Sequence, residues 1–226
     1  MTDSPASPTP YEILGVAASA SQAELRRAYR RLLRESHPDT GGNPARFDAV
    51  QQAWKRIGET GAREVWDLGD HSRDSSPSAP ARPAGPRQEG SSVRARSYGH
   101  PGGQARERYL TLVREWAGRG AELPDPYDPA LVRSAPREIR HQLANALAEE
   151  ATARAVSGLG IGYTIWNGVR AKTGRIDHIV LGPAGLFAIM SEDWGSEVRM
   201  VRGELKADGI VPPDQPARTL SRTARA

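Results

Sequence analysis

The tripeptide His37-Pro38-Asp39 places an imidazole, a rigid turn former and a carboxylate in one short segment. Pro and Asp are ordinary turn residues, so a plain loop would use them; a contact loop for another surface would use them too. Five arginines, Arg26, Arg27, Arg30, Arg31 and Arg34, precede it at spacings that share one helix face. They form either a solvated face or a surface for an acidic partner. Further along, Asp177 interrupts the apolar run of residues 175–181, where Asp is a poor strand former. It is either a structural hydrogen-bonding group or a metal ligand. The chain has no cysteine, which excludes disulfides and thiolate metal sites.

Elements must position these groups. Ser21 and Glu24 have the spacing of a helix-opening capping box. Leu25, Ala28, Tyr29, Leu32 and Leu33 then recur at helical period, with the arginines opposite. Asn43 is a good N-cap and Pro44 suits the first helical position of the next helix. Its stripe is Phe47, Val50, Trp54 and Ile57. Two helices with facing stripes and a short connection predict an antiparallel hairpin. The connection runs from Ser36 to Asn43 and holds His37-Pro38-Asp39, then Gly41-Gly42.

Here the sequence resembles the J domain of the DnaJ family, from Tyr11 to about Asp67. The likeness rests on Tyr11-Glu12-Ile13-Leu14-Gly15-Val16, on Glu24-Leu25-Arg26-Arg27-Ala28-Tyr29-Arg30, on His37-Pro38-Asp39, on Phe47 with Ala53-Trp54, and on Arg63 with Trp66-Asp67. The resemblance implies a co-chaperone whose arginine helix docks on a DnaK-type chaperone and whose loop stimulates that partner's ATP hydrolysis. By the same analogy Asp39 meets a partner arginine. Ser36 stands where an aromatic residue is usual and Trp54 where a tyrosine is usual. Activity is expected to survive both.

The C-terminal half changes period. Tyr109, Leu112, Val113 and Trp116 predict a short amphipathic helix, and Leu123–Pro129 a loop. Pro136 opens a longer helix with Ile139, Leu143, Ala146, Leu147 and Ala151 as its apolar side; Gly158 and Gly160 close it. Strands are predicted at Tyr163–Asn167, Arg175–Leu181 and Leu186–Met190, with a fourth at Glu197–Arg202. The run from Arg175 to Ile189 resembles the nuclease-related domain, with Glu149-Glu150-Ala151-Thr152-Ala153 and Trp194-Gly195 fitting as well. That resemblance implies a restriction-endonuclease-like α/β fold. In it an aspartate and a Glu-x-Lys hold magnesium beside the scissile phosphate. Asp177 fills the first position. Met190-Ser191-Glu192 fills the second, so a thioether replaces the carboxylate and an acid replaces the lysine. The expectation is a fold without its chemistry: no catalytic residue, no metal, no cofactor. Glu149, Glu192 and Asp193 are the alternative metal set, and His178 is read as a strand residue rather than a ligand.

The 226 residues are 38% hydrophobic and 6% aromatic, enough for modest cores. The expected order is a disordered N-terminus (1–10), the J domain (11–68), a Pro/Ser/Gly/Arg-rich flexible linker (69–104), the α/β domain (105–211) and a basic tail (212–226). That domain is expected to be minimal or shortened. No apolar run suits a membrane span, and the N-terminus lacks a signal peptide, so a cytoplasmic location is expected. The net charge of +4 is slight support for nucleic acid. The leading expectation is a co-chaperone, not an enzyme, whose C-terminal domain is a targeting module for a protein or nucleic-acid client. The alternatives are a metal-dependent nuclease and a non-cleaving nucleic-acid binder using Arg199, Arg202, Arg218, Arg222 and Arg225.

Overall fold

A computed structural model describes residues 4–68, 94–118, 120, 122–172, 174–202, 204–207, 220 and 223. Most of the expected linker and most of the basic tail lie outside them. The chain divides into two compact units. One holds the described residues of Pro8–Gly85 together with Tyr127–Ser134. The other holds those of Met1–Ser7, Pro86–Pro126 and Ala135–Ala226.

The first unit is helical. Helix α1 (Pro10–Leu14) starts with a capping box in which Glu12 N–H donates to Thr9 Oγ1 at 3.2 Å and Thr9 N–H to the Glu12 carboxylate at 2.7 Å. Five residues are too few to show a period, so α1 was not legible as a helix. Helix α2 (Gln22–Glu35) opens on Ser21 with Glu24 answering, and α3 (Pro44–Ile57) opens on Asn43, which accepts from the N–H groups of Ala45 and Arg46. Tyr11, Leu14, Leu25, Leu32, Val50, Ala53 and Ile57 form the core. Each large side chain among them contributes about 1.5–3 kcal/mol by leaving water. Phe47 and Trp54 are only half-buried, and Trp54 instead stacks on Tyr29 at 4.5 Å. Helix α4 (Thr60–Asp67) closes the unit.

Arg63 of α4 ties the ends together. It donates to the carbonyls of Ala18 and Ala20 at 2.6 and 2.7 Å and to Tyr11 Oη at 3.0 Å. The Tyr11 hydroxyl in turn donates to Asp67 at 2.8 Å. Burial, helped by Asp67, pushes the Tyr11 phenol up to about 12 from 10.0. The folded state therefore holds this proton more tightly than the unfolded one. Its stability is whole below about pH 10 and falls as pH rises through the folded value, by on the order of 1–3 kcal/mol across the window. Urea unfolding across that range should show the decline in wild type and a smaller one in Tyr11→Phe. Equal slopes would place the phenol elsewhere.

The second unit is α/β. Strands β1 (Arg96–Tyr98), β2 (Thr164–Ala171), β3 (Gly174–Gly182) and β4 (Gly185–Ile189) form one sheet in that order. β1 runs parallel to β2; β2, β3 and β4 are antiparallel. β1 lies inside the stretch expected to be linker. Helices α5 (Gly103–Ala117) and α7 (Arg137–Ser157) belong here, while the short α6 (Pro129–Ser134), unforeseen, belongs to the first unit. There Arg133 lies 5.8 Å from the Trp66 ring, which also meets Arg56. The predicted fourth strand is a hairpin, β5 (Arg199–Val201) with β6 (Glu204–Lys206).

Two expectations are corrected. Leu147 and Ala151 are exposed rather than core, whereas Arg140 and Glu149 are buried. A stripe read from apolar residues alone misses a face built on ion pairs. Arg140, 2% exposed, donates to the carbonyls of Ala135, Pro5 and Ser7. Those contacts also place Ser4–Ser7, expected to be disordered, within the second unit; Ser4 Oγ donates to Asp193 at 2.7 Å.

Candidate functional site

In the first unit, α2 stops at Ser36, which is 2% exposed and donates from Oγ to the Leu32 carbonyl at 2.6 Å. A small hydroxyl suits that buried helix end. The chain then makes one tight turn, a 3-10 helix over Pro38–Thr40 with His37 as its cap. Asp39 N–H donates to His37 Nδ1 at 3.2 Å, and Gly42 N–H to the His37 carbonyl at 2.9 Å. The His37 ring meets Phe47 edge-on at 5.1 Å. Gly42 passes so close to Ser36 that a Cβ would stand 2.2 Å from its carbonyl carbon, so only glycine closes the loop. The result is a braced tip. Pro38 and Asp39 are exposed, and the Asp39 side chain keeps 87% of its surface in solvent.

Arg26, Arg27, Arg30, Arg31 and Arg34 are all exposed on α2. Arg30 and Arg34 fold back to donate to carbonyls one turn earlier, and Arg31 pairs with Glu35 at 3.8 Å. One helix thus carries a dense positive face that leads directly into the loop.

The second unit brings together a different set. Glu149 of α7, 3% exposed, is gripped by Arg175 of β3: Nη1 donates to Oε1 at 2.9 Å and Nη2 to Oε2 at 2.5 Å. Oε2 also accepts from Gly102 N–H at 2.9 Å. Gly102 has φ +71°, and a Cβ there would lie 2.6 Å from the Ala146 carbonyl oxygen; no other residue could present that N–H. Arg175 Nη1 lies 3.6 Å from Asp177 Oδ1, and Ser191 N–H donates to Asp177 Oδ2 at 2.8 Å. Ser191 Oγ in turn donates to Thr152 Oγ1. Burial raises the Asp177 carboxyl above its ordinary range despite the Ser191 N–H, while the Glu149 hydrogen bonds raise Arg175 further. The cluster forms one wall of a cavity of 510 Å³. Glu107 and Arg108 of α5, Gln142 and Asn145 of α7, and Met190 and Glu192 line the rest.

The sequence-predicted positions are therefore divided. Asp177, Met190 and Glu192 all line the cavity. Glu149, Glu192 and Asp193 do not converge as a metal set. Glu149 is held by Arg175, Asp193 accepts from Ser4 and from Gly195 N–H, and among the described residues no three His, Asp or Glu are grouped to hold a metal ion. His178 is fully buried; its Nδ1 lies 2.8 Å from Asn167 Oδ1, and Asn167 also binds Ser97 and Tyr98 of β1. With Asn167 Nδ2 used as donor, Nδ1 of His178 carries the proton, and Nε2 is buried with no hydrogen-bond partner among the described residues. Burial accordingly lowers its pKa.

Comparison with known proteins matches each unit separately. Residues 9–67 match the DnaJ domain model, and residues 144–226 match the nuclease-related domain model. The chain carries a DnaJ domain and a nuclease-related domain. A tetratricopeptide repeat and J domain-containing co-chaperone of Mycosarcoma maydis is 32% identical over 110 residues, 49% of this chain and 16% of that protein. A DnaJ protein homolog of Cucumis sativus is 44% identical over 57 residues, 25% of this chain and 14% of its own. The chaperone protein DnaJ 2 of Aquifex aeolicus is 39% identical over 64 residues, 27% of this chain and 17% of its own. The chain thus spans about a sixth of the curated relatives it matches. Within the DnaJ match lie the whole braced loop and the arginine face. Within the nuclease-related match lie Glu149, Arg175 and Asp177, but not Gly102 or α5. Arg175 was not singled out from sequence. Its spacing from Asp177, two residues on one strand, was the available signal, since such residues share a face.

Proposed function

We propose that the DnaJ domain docks on a DnaK-type chaperone and stimulates its ATP hydrolysis through His37-Pro38-Asp39, with the nuclease-related domain as the targeting module. The observation that carries this is the braced loop at the end of the arginine face. Charges on α2 bring an acidic surface into register, because many exposed guanidiniums steer association. The loop then offers a carboxylate whose backbone is already fixed, so little entropy is lost when it meets a cationic group. Stimulation follows if this contact is stronger in the hydrolysis-competent conformation of the partner than in the other. The name of the Mycosarcoma maydis relative, a co-chaperone, supports the same role.

Nucleic-acid binding has less behind it. Arg199 is paired with Glu197 at 2.7 Å, and Arg218, Arg222 and Arg225 lie outside the described residues. The cavity wall carries the acids Glu107, Glu149, Asp177 and Glu192 against two arginines, a balance that opposes phosphate.

The reading is tested by affinity for the partner in each nucleotide state. The full chain should bind the ATP-bound chaperone and bind the ADP-bound form more weakly. That binding should fall as salt rises, because docking is charge-driven. No binding to the ATP-bound form, or binding that salt leaves unchanged, would contradict charge-driven docking.

A further inference from the structure

The nuclease-related fold implies a divalent cation held by acidic side chains, and the residues present do not fit one. Magnesium needs carboxylate oxygens free to approach to about 2.0–2.1 Å in octahedral order. The two carboxylates at the heart of this unit are already engaged. Arg175 binds both oxygens of Glu149 and faces Oδ1 of Asp177; Gly102 N–H shares Glu149 Oε2, and Ser191 N–H takes Asp177 Oδ2. Of the positions expected to hold the Glu-x-Lys, Met190 is a thioether, which suits soft metals rather than magnesium, and among the described residues Glu107 and Glu192 are not grouped with Glu149 and Asp177 as a metal set. Ser191, which follows Met190, is turned inward on Asp177 and Thr152. A metal could enter only by expelling a guanidinium whose side chain is four-fifths buried.

We propose that the Arg175 guanidinium is the resident cation of this domain, standing between Glu149 and Asp177 where a divalent metal would otherwise sit. A guanidinium can do this because its planar fork matches a carboxylate with two parallel N–H bonds. It delivers one positive charge to two carboxylates. The geometry around the fork is specific to it. Gly102 brings a backbone N–H to the outer edge of Glu149, and the main chain at Ser191 closes Asp177 from the other side. The domain thus keeps the packing role of the metal and gives up its Lewis acidity. The cavity beside the cluster is left to bind by hydrogen bonds from side chains such as Gln142 and Asn145. Gly102, Glu149, Arg175, Asp177 and Ser191 all belong to the second unit.

The test is titration of the full chain with manganese, followed by the loss of the free-ion electron paramagnetic resonance signal and by thermal unfolding. Wild type should bind no manganese that depends on Glu149, and its unfolding temperature should not move. Arg175→Met should unfold at lower temperature, gain one manganese, and recover part of the loss as the ion is added, since a ligand of the folded state alone stabilises it. Adding Glu149→Gln to that variant should remove the gain. Manganese bound by wild type and lost in Glu149→Gln would overturn the proposal, and so would a folded Arg175→Met that gains none. If Arg175→Met does not fold, the wild-type and Glu149→Gln titrations decide: binding lost on substitution overturns it, and no Glu149-dependent binding upholds it.

Discussion

Replacing Arg175 with methionine should lower the unfolding free energy of the nuclease-related unit by about 3–5 kcal/mol, because it leaves buried carboxylates without their cation. Glu149 is 3% exposed and Asp177 8%, so water replaces the guanidinium poorly. Methionine fills much of the volume, which separates lost charge from lost packing. The check is urea unfolding of the full chain, with the C-terminal transition followed separately from the helical one. A companion double variant, Arg175→Met with Glu149→Gln, should cost clearly less than the two single changes added together. Contacting charges couple, and removing the second acid relieves what removing the arginine exposed. A loss under about 1 kcal/mol for Arg175→Met would mean the pair is a surface contact in effect.

Asp39→Asn should leave the fold alone and remove most of the stimulation of a DnaK-type chaperone. The substitution keeps size and shape. It spares the Asp39 N–H bond to His37 Nδ1, which belongs to the backbone. With the side chain 87% exposed, stability should change by no more than about 0.5 kcal/mol. What is lost is the charge. A hydrogen bond to a charged group is worth about 1.5–3 kcal/mol, so stimulation should fall on the order of tenfold to a hundredfold. Stopped-flow single turnover at matched, saturating co-chaperone concentration measures it. Full stimulation by Asp39→Asn would show that the carboxylate is not the contact.

The two halves were not equally legible. In the DnaJ domain, local signals agreed with the global fold: Ser21 with Glu24, Asn43 with Pro44, and apolar residues at helical period all mark the boundaries the structure has. The brace of the loop was not legible. It depends on Gly42 nearly touching Ser36 and on His37 meeting Phe47, contacts between residues with no shared period. The same holds for Arg63, whose reach to Ala18 and Ala20 crosses most of the unit.

In the nuclease-related half, strands β2 to β4 were placed within a few residues, since alternating apolar positions and the Pro183-Ala184-Gly185 turn announce a hairpin. β1 was missed because three exposed residues beside a Pro- and Gly-rich stretch carry no pattern. The apolar residues alone put Leu147 and Ala151 on the buried side of α7, where the structure instead buries Arg140 and Glu149. A buried charge is legible only once its partner is known, and Glu149 finds Arg175 across 26 positions of sequence. The loss of Glu-x-Lys at Met190-Ser191-Glu192 was visible; what stands in its place was not.

The measurement that bears most directly on this account is single-turnover ATP hydrolysis by a DnaK-type chaperone with the wild-type chain and with His37→Gln. Hydrolysis accelerated by the wild type and left at its basal rate by His37→Gln, with both proteins equally folded, is the predicted result. No acceleration by the wild type, or equal acceleration by both, would contradict it.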